Sequence, residues 1–76
     1  MTSTYWHRTR DDYGRSCHEL TVDSRTVGVV VRLPKGAIAM RGDGTKYLVN
    51  DWRLADRDAA VTYHATLAQA KRSLLG

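Results

Sequence analysis

The sequence of 76 residues leaves room for one small domain with a modest core and excludes a second domain. Its formal net charge is +4, and nine of its twelve basic residues are Arg, whose planar guanidinium suits phosphate and carboxylate, so the composition favours an anionic partner. The single cysteine, Cys17, excludes an intrachain disulfide. The sequence has no signal-like apolar run near its start and no stretch of about 20 apolar residues. We therefore expect a cytoplasmic protein with no membrane partner.

The first part of the chain is predicted to lead into a sheet that spans residues 17–50. Residues 1–16 contain the run STYWHRT, which is either an arm or an edge strand, followed by the polar turn RDDYGRS. In the next run, SCHELTVD, the residues His18, Leu20 and Val22 alternate with polar ones. This alternation predicts a strand with one buried face.

Residues 25–50 are predicted to form a three-stranded meander, because three β-rich runs are separated by PKG and GDG, and Asp-Gly is a strong hairpin signal. Two-residue loops at Lys35-Gly36 and Asp43-Gly44 would place Met40 opposite both Val31 and Tyr47. A one-residue slip would scatter the apolar side chains over both faces. One predicted face collects Val27, Val29, Val31, Leu33, Ile38, Met40, Tyr47 and Val49. The other carries Gly28, Val30, Arg32, Ala39, Arg41, Lys46 and Leu48.

Residues 51–65 are predicted to be a connection, and its second half has two competing interpretations. A continuous helix that begins at an Asp56 cap would extend the apolar stripe of the segment that follows. The run Val61-Thr62-Tyr63, however, consists of poor helix formers. We favour a strand at residues 60–64.

A C-terminal helix is predicted at residues 66–75. Thr66 and Gln69 have the spacing of a capping box, and Leu67, Ala70 and Leu74 form an apolar stripe from which Lys71 and Arg72 point away. We expect this stripe to cover the apolar face of the meander. The predicted fold is therefore α+β: an antiparallel sheet of about four strands with one C-terminal helix packed on one face.

The residues that could support catalysis or bind metal are few. His7, Cys17, His18 and His64 match no metal-ligand spacing, and adjacent strand residues such as Cys17 and His18 point to opposite faces, so Cys17 is expected to be a surface or edge thiol. The Asp pairs fall at predicted turns or caps, and no glycine-rich phosphate loop is present. The sequence predicts a protein that is not an enzyme, with no catalytic residues, no metal site and no cofactor.

A basic surface is the strongest candidate for binding. Cations of the outer sheet face could combine with aromatic and basic residues of the N-terminal run, which is a composition suited to nucleic acid; the alternative is a solvated outer face. Trp52 is either an interface residue or the edge of the core. The candidate binding residues, for protein or nucleic acid, are Arg32, Arg41, Lys46, Tyr5, Trp6, Arg8 and Trp52.

The run TYHATLAQAKRSLL after the predicted meander resembles small bacteriophage proteins, especially from actinobacterial phages, in which a β-meander is followed by a Thr-Leu-x-x-Ala-Lys helix. The resemblance covers the layout of residues 25–75. It implies an accessory binding module that binds and modulates a host protein in the cytoplasm of a bacterial host. The oligomeric state is left open.

The layout is more distantly similar to the three-stranded arm-binding domain of tyrosine integrases, which lays its sheet into the DNA major groove. This similarity implies that Arg32, Arg41 and Lys46 face DNA. The alternative function is therefore a nucleic-acid-binding module that uses a basic sheet face, with the host protein as the preferred partner.

Overall fold

The computed structural model describes residues 3–75, which form seven strands and one helix. The helix follows a capping threonine, Thr66. The elements are β1 (Thr4–Arg10), β2 (Ser16–Val22), β3 (Arg25–Arg32), β4 (Ile38–Met40), β5 (Lys46–Leu48), β6 (Trp52–Asp56), β7 (Val61–His64) and α1 (Leu67–Leu75).

Five of the strands form one antiparallel sheet in the order β1-β2-β3-β6-β7. Asp23 and Ser24 connect β2 to β3 and both have positive φ, 50° and 67°, as a two-residue primed turn requires. The predicted α+β class with an antiparallel sheet and a C-terminal helix on it is confirmed, with five strands in the sheet instead of about four. Of the two alternatives for the N-terminal run, the edge strand is confirmed by β1, and the arm is wrong.

The turn between β1 and β2 is organised by Asp11. Its carboxylate accepts hydrogen bonds from the backbone N–H groups of Tyr13 and Arg15, at 3.0 and 2.9 Å, and pairs with the Arg15 side chain at 2.6 Å. Partial desolvation alone would raise the pKa of Asp11, but these hydrogen bonds and the Arg15 charge outweigh it and hold the pKa below its ordinary value.

The predicted meander is wrong, because β3 pairs with β6 and not with β4. Pro34 has no N–H to donate at the end of β3, and the N–H of Leu33 bonds to the carbonyl of Asp51 at 2.6 Å, just before β6. The intervening residues leave the sheet, and β4 and β5 pair with each other as a separate two-stranded hairpin. The predicted connection at 51–65 therefore contains a strand, β6, that lies between β3 and β7.

The register of the β4–β5 hairpin differs by one residue from the prediction. Met40 pairs with Lys46 and not with Tyr47, because Arg41 and Thr45 close a three-residue loop in place of a two-residue one. The carboxylate of Asp43 accepts the N–H of Thr45 at 2.9 Å and stabilises this longer loop.

The strand interpretation of residues 60–64 is confirmed by β7, and the continuous helix is wrong. Asp56 ends β6 by accepting the N–H groups of Asp58 and Ala60, at 2.9 and 3.0 Å, and Ala59 has a φ of 64° that a right-handed helix excludes. The Asp56 side chain thus caps a turn between two strands.

Helix α1 begins where the sequence predicts. The hydroxyl of Thr66 accepts the N–H of Gln69 at 3.1 Å, which is one half of the predicted capping box. Ala70 is fully buried, and Leu67 and Leu74 pack beside it on the sheet. The predicted apolar stripe of the helix is confirmed.

The helix covers the opposite sheet face from the one predicted. Residues that lie directly opposite in antiparallel strands share a face, and the helix-covered face carries Val30 and Leu54, which form the core with Ala70. A Cβ on Gly28 would lie 2.5 Å from Leu74 Cδ1, so the glycine admits the helix at this point. Val29 and Val31 lie on the other face, which we call the open face, and are only partly buried.

Candidate functional site

One face of the β4–β5 hairpin consists largely of exposed apolar side chains. Ile38 lies opposite Leu48, and Met40 lies opposite Lys46, so all four point to the same side. The three apolar residues are 61%, 74% and 65% exposed, in the order Ile38, Leu48, Met40. We call these four residues the hairpin face.

The hairpin projects from the sheet. Within residues 3–75, neither β4 nor β5 packs against another strand or against α1, and the Leu33–Asp51 hydrogen bond joins β3 to the residue before β6 at the hairpin's base. The protein is correspondingly elongated, with principal extents of 44 × 25 × 21 Å. No other described part of the chain therefore shields the hairpin face from solvent.

The far side of the hairpin is held by a cation–π contact. The guanidinium of Arg41 lies 4.9 Å from the centre of the Tyr47 ring, and Tyr47 pairs with Ala39 across the strands. The loop carboxylate of Asp43 is engaged by Thr45, whose side-chain and backbone hydrogen bonds lower the pKa of Asp43. The tip thus keeps Asp43 ionised while Arg41 and Lys46 supply positive charge around the hairpin.

A second candidate surface lies on the helix-covered face beside α1. The register places Arg8 opposite His18 and Arg32 opposite Trp52. Trp6, two residues before Arg8 on β1, lies on the same face. Helix α1 adds Lys71. We call these six residues the cationic strip: Trp6, Arg8, His18, Arg32, Trp52 and Lys71.

The two tryptophans of the cationic strip each lie under a cation. Lys71 Nζ is 4.8 Å from the centre of the Trp6 ring, and the Arg32 guanidinium carbon is 5.7 Å from that of Trp52. Both rings also pack against the core, so each offers a fixed support for the charged group above it.

His18 reports the electrostatics of the strip. Partial burial lowers the pKa of His18, and the nearby charges of Lys71 and Arg8 lower it further. The edge of the imidazole meets Trp52, with ring centres 5.9 Å apart. Burial and, after it, the two neighbouring cations therefore both disfavour the charged form of His18.

Within residues 3–75, no salt bridge joins a carboxylate to a cation of the strip, although Asp51 borders the same pocket as Arg32. The acidic residue on the helix-covered face of the described strands, Asp56, lies at the end of β6 and is occupied by the turn to β7. The salt bridge that residues 3–75 contain joins Arg15 to Asp11, away from the strip. The strip therefore presents Arg8, Arg32 and Lys71 outside any salt bridge of the described residues.

The structure does not bring the predicted basic residues onto one sheet face. Arg32 lies on the helix-covered face, Lys46 on the hairpin face and Arg41 over Tyr47 on the hairpin's far side. Arg41 lies opposite Thr45, and Lys46 pairs with Met40.

The four aromatic or N-terminal candidates divide between the two faces of the sheet. Trp6, Arg8 and Trp52 join the cationic strip, whereas Tyr5 lies on the open face with its ring 6.2 Å from that of His7. Trp52 is part of the core's edge and also borders a charged surface.

Sequence reasoning missed other members of both surfaces. Ile38 and Met40 were assigned to a core, although Pro34 and the brevity of the β4 run indicate a segment outside the sheet. Lys71 was expected to point away from the sheet, but its long side chain reaches back over Trp6.

Cys17 is not the surface thiol that the sequence suggested. It is 6% exposed on the open face, opposite Val31, and burial raises the pKa of its thiol. Residues 3–75 bring together no group of three or more His, Cys, Asp or Glu side chains that could hold a metal ion.

In the same described range, the chain has no helix with the length and apolar composition that crossing a bilayer requires. Comparison with protein-family models, with curated proteins and with solved structures gives no match to this chain.

Proposed function

We propose that this chain is a non-enzymatic binding module that docks on a partner protein through the hairpin face. The observation that supports it is the clustering of Ile38, Met40 and Leu48, all more than half exposed, on one side of a hairpin that nothing in residues 3–75 covers. Contiguous exposed apolar side chains of this kind are typical of protein interaction sites.

Docking would also stabilise the hairpin. An isolated two-stranded hairpin is marginally stable in water, and β4 and β5 have three residues each. Burying a Leu, Ile or Met side chain contributes roughly 1.5–3 kcal/mol when burial is complete. A partner that covers the three apolar side chains therefore gains affinity and orders the hairpin at the same time.

The charges around the hairpin indicate what the partner surface looks like. Lys46 lies within the hairpin face, Arg41 lies near the tip on the far side, and Asp43 is the carboxylate of the loop between them. A second copy of this chain would bring like charges together, which disfavours self-association. The complementary surface has an apolar centre with carboxylates around it. The resemblance to small phage proteins adds the expectation that a bacterial host protein carries this surface.

The test is affinity capture from a nuclease-treated bacterial lysate with three forms of the protein. The native chain is compared with the double variant Ile38→Asp/Leu48→Asp and with Tyr13→Asp, a control that adds one carboxylate at another exposed large hydrophobic residue. We expect one protein to be captured in stoichiometric amount by the native chain and by the control. The double variant should lose it at least tenfold while retaining its thermal melt.

Two outcomes would contradict the proposal. Equal capture by the double variant would show that the hairpin face is not the docking surface. A dimer in sedimentation that the double variant disperses would show that the face binds a second copy, against the charge argument.

A further inference from the structure

The cationic strip is a surface distinct from the hairpin face, and its geometry is that of a polyanion site. Arg8 and Arg32 are exposed, and they stand on strands β1 and β3 with β2 between them. Adjacent strands lie about 4.8 Å apart, so the two backbones are about 10 Å apart. Each strand of a nucleic acid carries a negative charge about every 3.4 Å along the duplex axis. The strip is wide enough to meet more than one phosphate.

The tryptophan rings that support the charged groups favour contacts with the phosphates of a nucleic acid over contacts with its bases. Lys71 and Arg32 occupy the faces of Trp6 and Trp52, so these rings are covered by cations and are not available for stacking with bases. The same contacts restrict the two long side chains, which reduces the conformational entropy lost when an anion binds. A site of this kind holds the backbone and carries no sequence information.

We propose that the cationic strip binds the phosphodiester backbone of nucleic acid, with Arg8, Arg32 and Lys71 as the phosphate contacts. A module with both surfaces would hold a protein partner at the hairpin face and a nucleic acid at the strip. The two sites share no residue, so the loss of one leaves the other intact.

His18 couples this binding to pH. The charged groups that face it are Arg8 from β1 and Lys71 from α1, while β3 contributes Val30 and β6 contributes the edge of Trp52. A bound phosphate would offset the two cations and favour the imidazolium, so the pKa of His18 rises on binding. Binding is then tighter in mildly acidic solution than in mildly alkaline solution, and His18→Gln removes this dependence.

The first experiment is a fluorescence-anisotropy titration with a short random-sequence duplex over a range of salt concentrations. Three phosphate contacts give a log–log salt slope of about −2.7, from roughly 0.9 per phosphate. The triple variant Arg8→Gln/Arg32→Gln/Lys71→Gln should lose most of that slope and at least tenfold in affinity at low salt. Arg8→Gln alone, at an exposed position outside the core, should lower the slope by about 0.9.

The matched control removes the same net charge from the hairpin: Lys35→Gln/Arg41→Gln/Lys46→Gln. Its duplex affinity should stay within about twofold of the native value, and circular dichroism should show a native melt for every variant. The hairpin variant Ile38→Asp/Leu48→Asp should bind the duplex like the native chain, so a failure of the strip and a failure of the protein-docking proposal give different results.

Three results would overturn the proposal. The first is no duplex binding at low salt. The second is an equal loss of duplex affinity in both triple variants, which would show that net charge alone determines binding. The third is binding to phosphatidylglycerol vesicles through Arg8, Arg32 and Lys71 without binding to duplex, which would assign the strip to a lipid surface. A His18 pKa, followed by NMR, that does not rise when duplex is added would also contradict the placement of the phosphates.

Discussion

Paired substitutions at Val30 and Val31 test which face of the sheet the helix covers. Val30 is fully buried between Leu54 and α1, whereas Val31 lies on the open face and is only partly buried. Val30→Ala removes two buried methyl groups at about 0.8 kcal/mol each and leaves a cavity, which gives a loss of about 2–3 kcal/mol. Val31→Ala should cost about half of that or less.

The size of these losses is large for a protein of this length. At roughly 0.05–0.15 kcal/mol per residue, a chain of 76 residues has a free energy of unfolding of about 4–11 kcal/mol. Val30→Asp places an unpaired carboxylate in the core, which costs several kcal/mol and should abolish the cooperative transition. Val31→Asp leaves its carboxylate in contact with water and should still fold.

The assay is urea unfolding followed by circular dichroism, with the free energy of unfolding taken from linear extrapolation at a shared slope. The native protein and the four variants are compared in the same buffer. A larger loss for Val31→Ala than for Val30→Ala, or a cooperative native melt for Val30→Asp, would refute the assignment of the helix to the Val30 face.

Two further predictions concern the helix contact and the first turn. Gly28→Ala brings a methyl group to within 2.5 Å of the Leu74 side chain and should lower the free energy of unfolding by about 1–3 kcal/mol; in a double-mutant cycle, Leu74→Ala should restore part of it. The pKa of Asp11 is lowered in the folded state, so its contribution to stability is complete above its ordinary value of 3.8 and is lost as the pH falls through the lowered value. Thermal melts across this pH range should show a shallower acid limb for Asp11→Asn than for the native chain, and identical limbs would contradict the role of the turn.

Local signals in the sequence were sufficient to predict the last strand and the helix, at the C-terminal end of the described residues. Thr66 and Gln69 predicted the helix start, and poor helix formers near Val61 predicted the last strand. Both features depend on neighbours within a few residues, where capping and backbone preference act directly.

The face and the pairing of β3 could not be predicted in the same way. Val29, Val30 and Val31 are consecutive, so periodicity does not distinguish the two faces. The choice is made by residues distant in sequence, Leu20 and Leu54, which lie on the Val30 side. The pairing of β3 with β6 is non-local, because the hairpin is inserted between them. The three adjacent β-rich runs predicted local pairing in a meander instead.

The same error limited how much of the two candidate surfaces could be predicted. Arg32, Trp6 and Arg8 were identified from composition, but the strip that contains them depends on the register of β1 to β3 and on the reach of Lys71 from the helix. The hairpin face was missed because its apolar residues were assigned to the core of the predicted meander. In the fold they lie outside the core.

The Leu33–Asp51 hydrogen bond closes β3 onto β6 and divides the chain into a scaffold and an inserted hairpin. The sheet and helix depend on residues such as Val30, Leu54 and Ala70, whose replacement disturbs packing. Residues of the hairpin face contribute nothing to that packing. Substitutions in the hairpin face should therefore leave the scaffold unaltered, because the hairpin is an insertion between two neighbouring strands of the sheet.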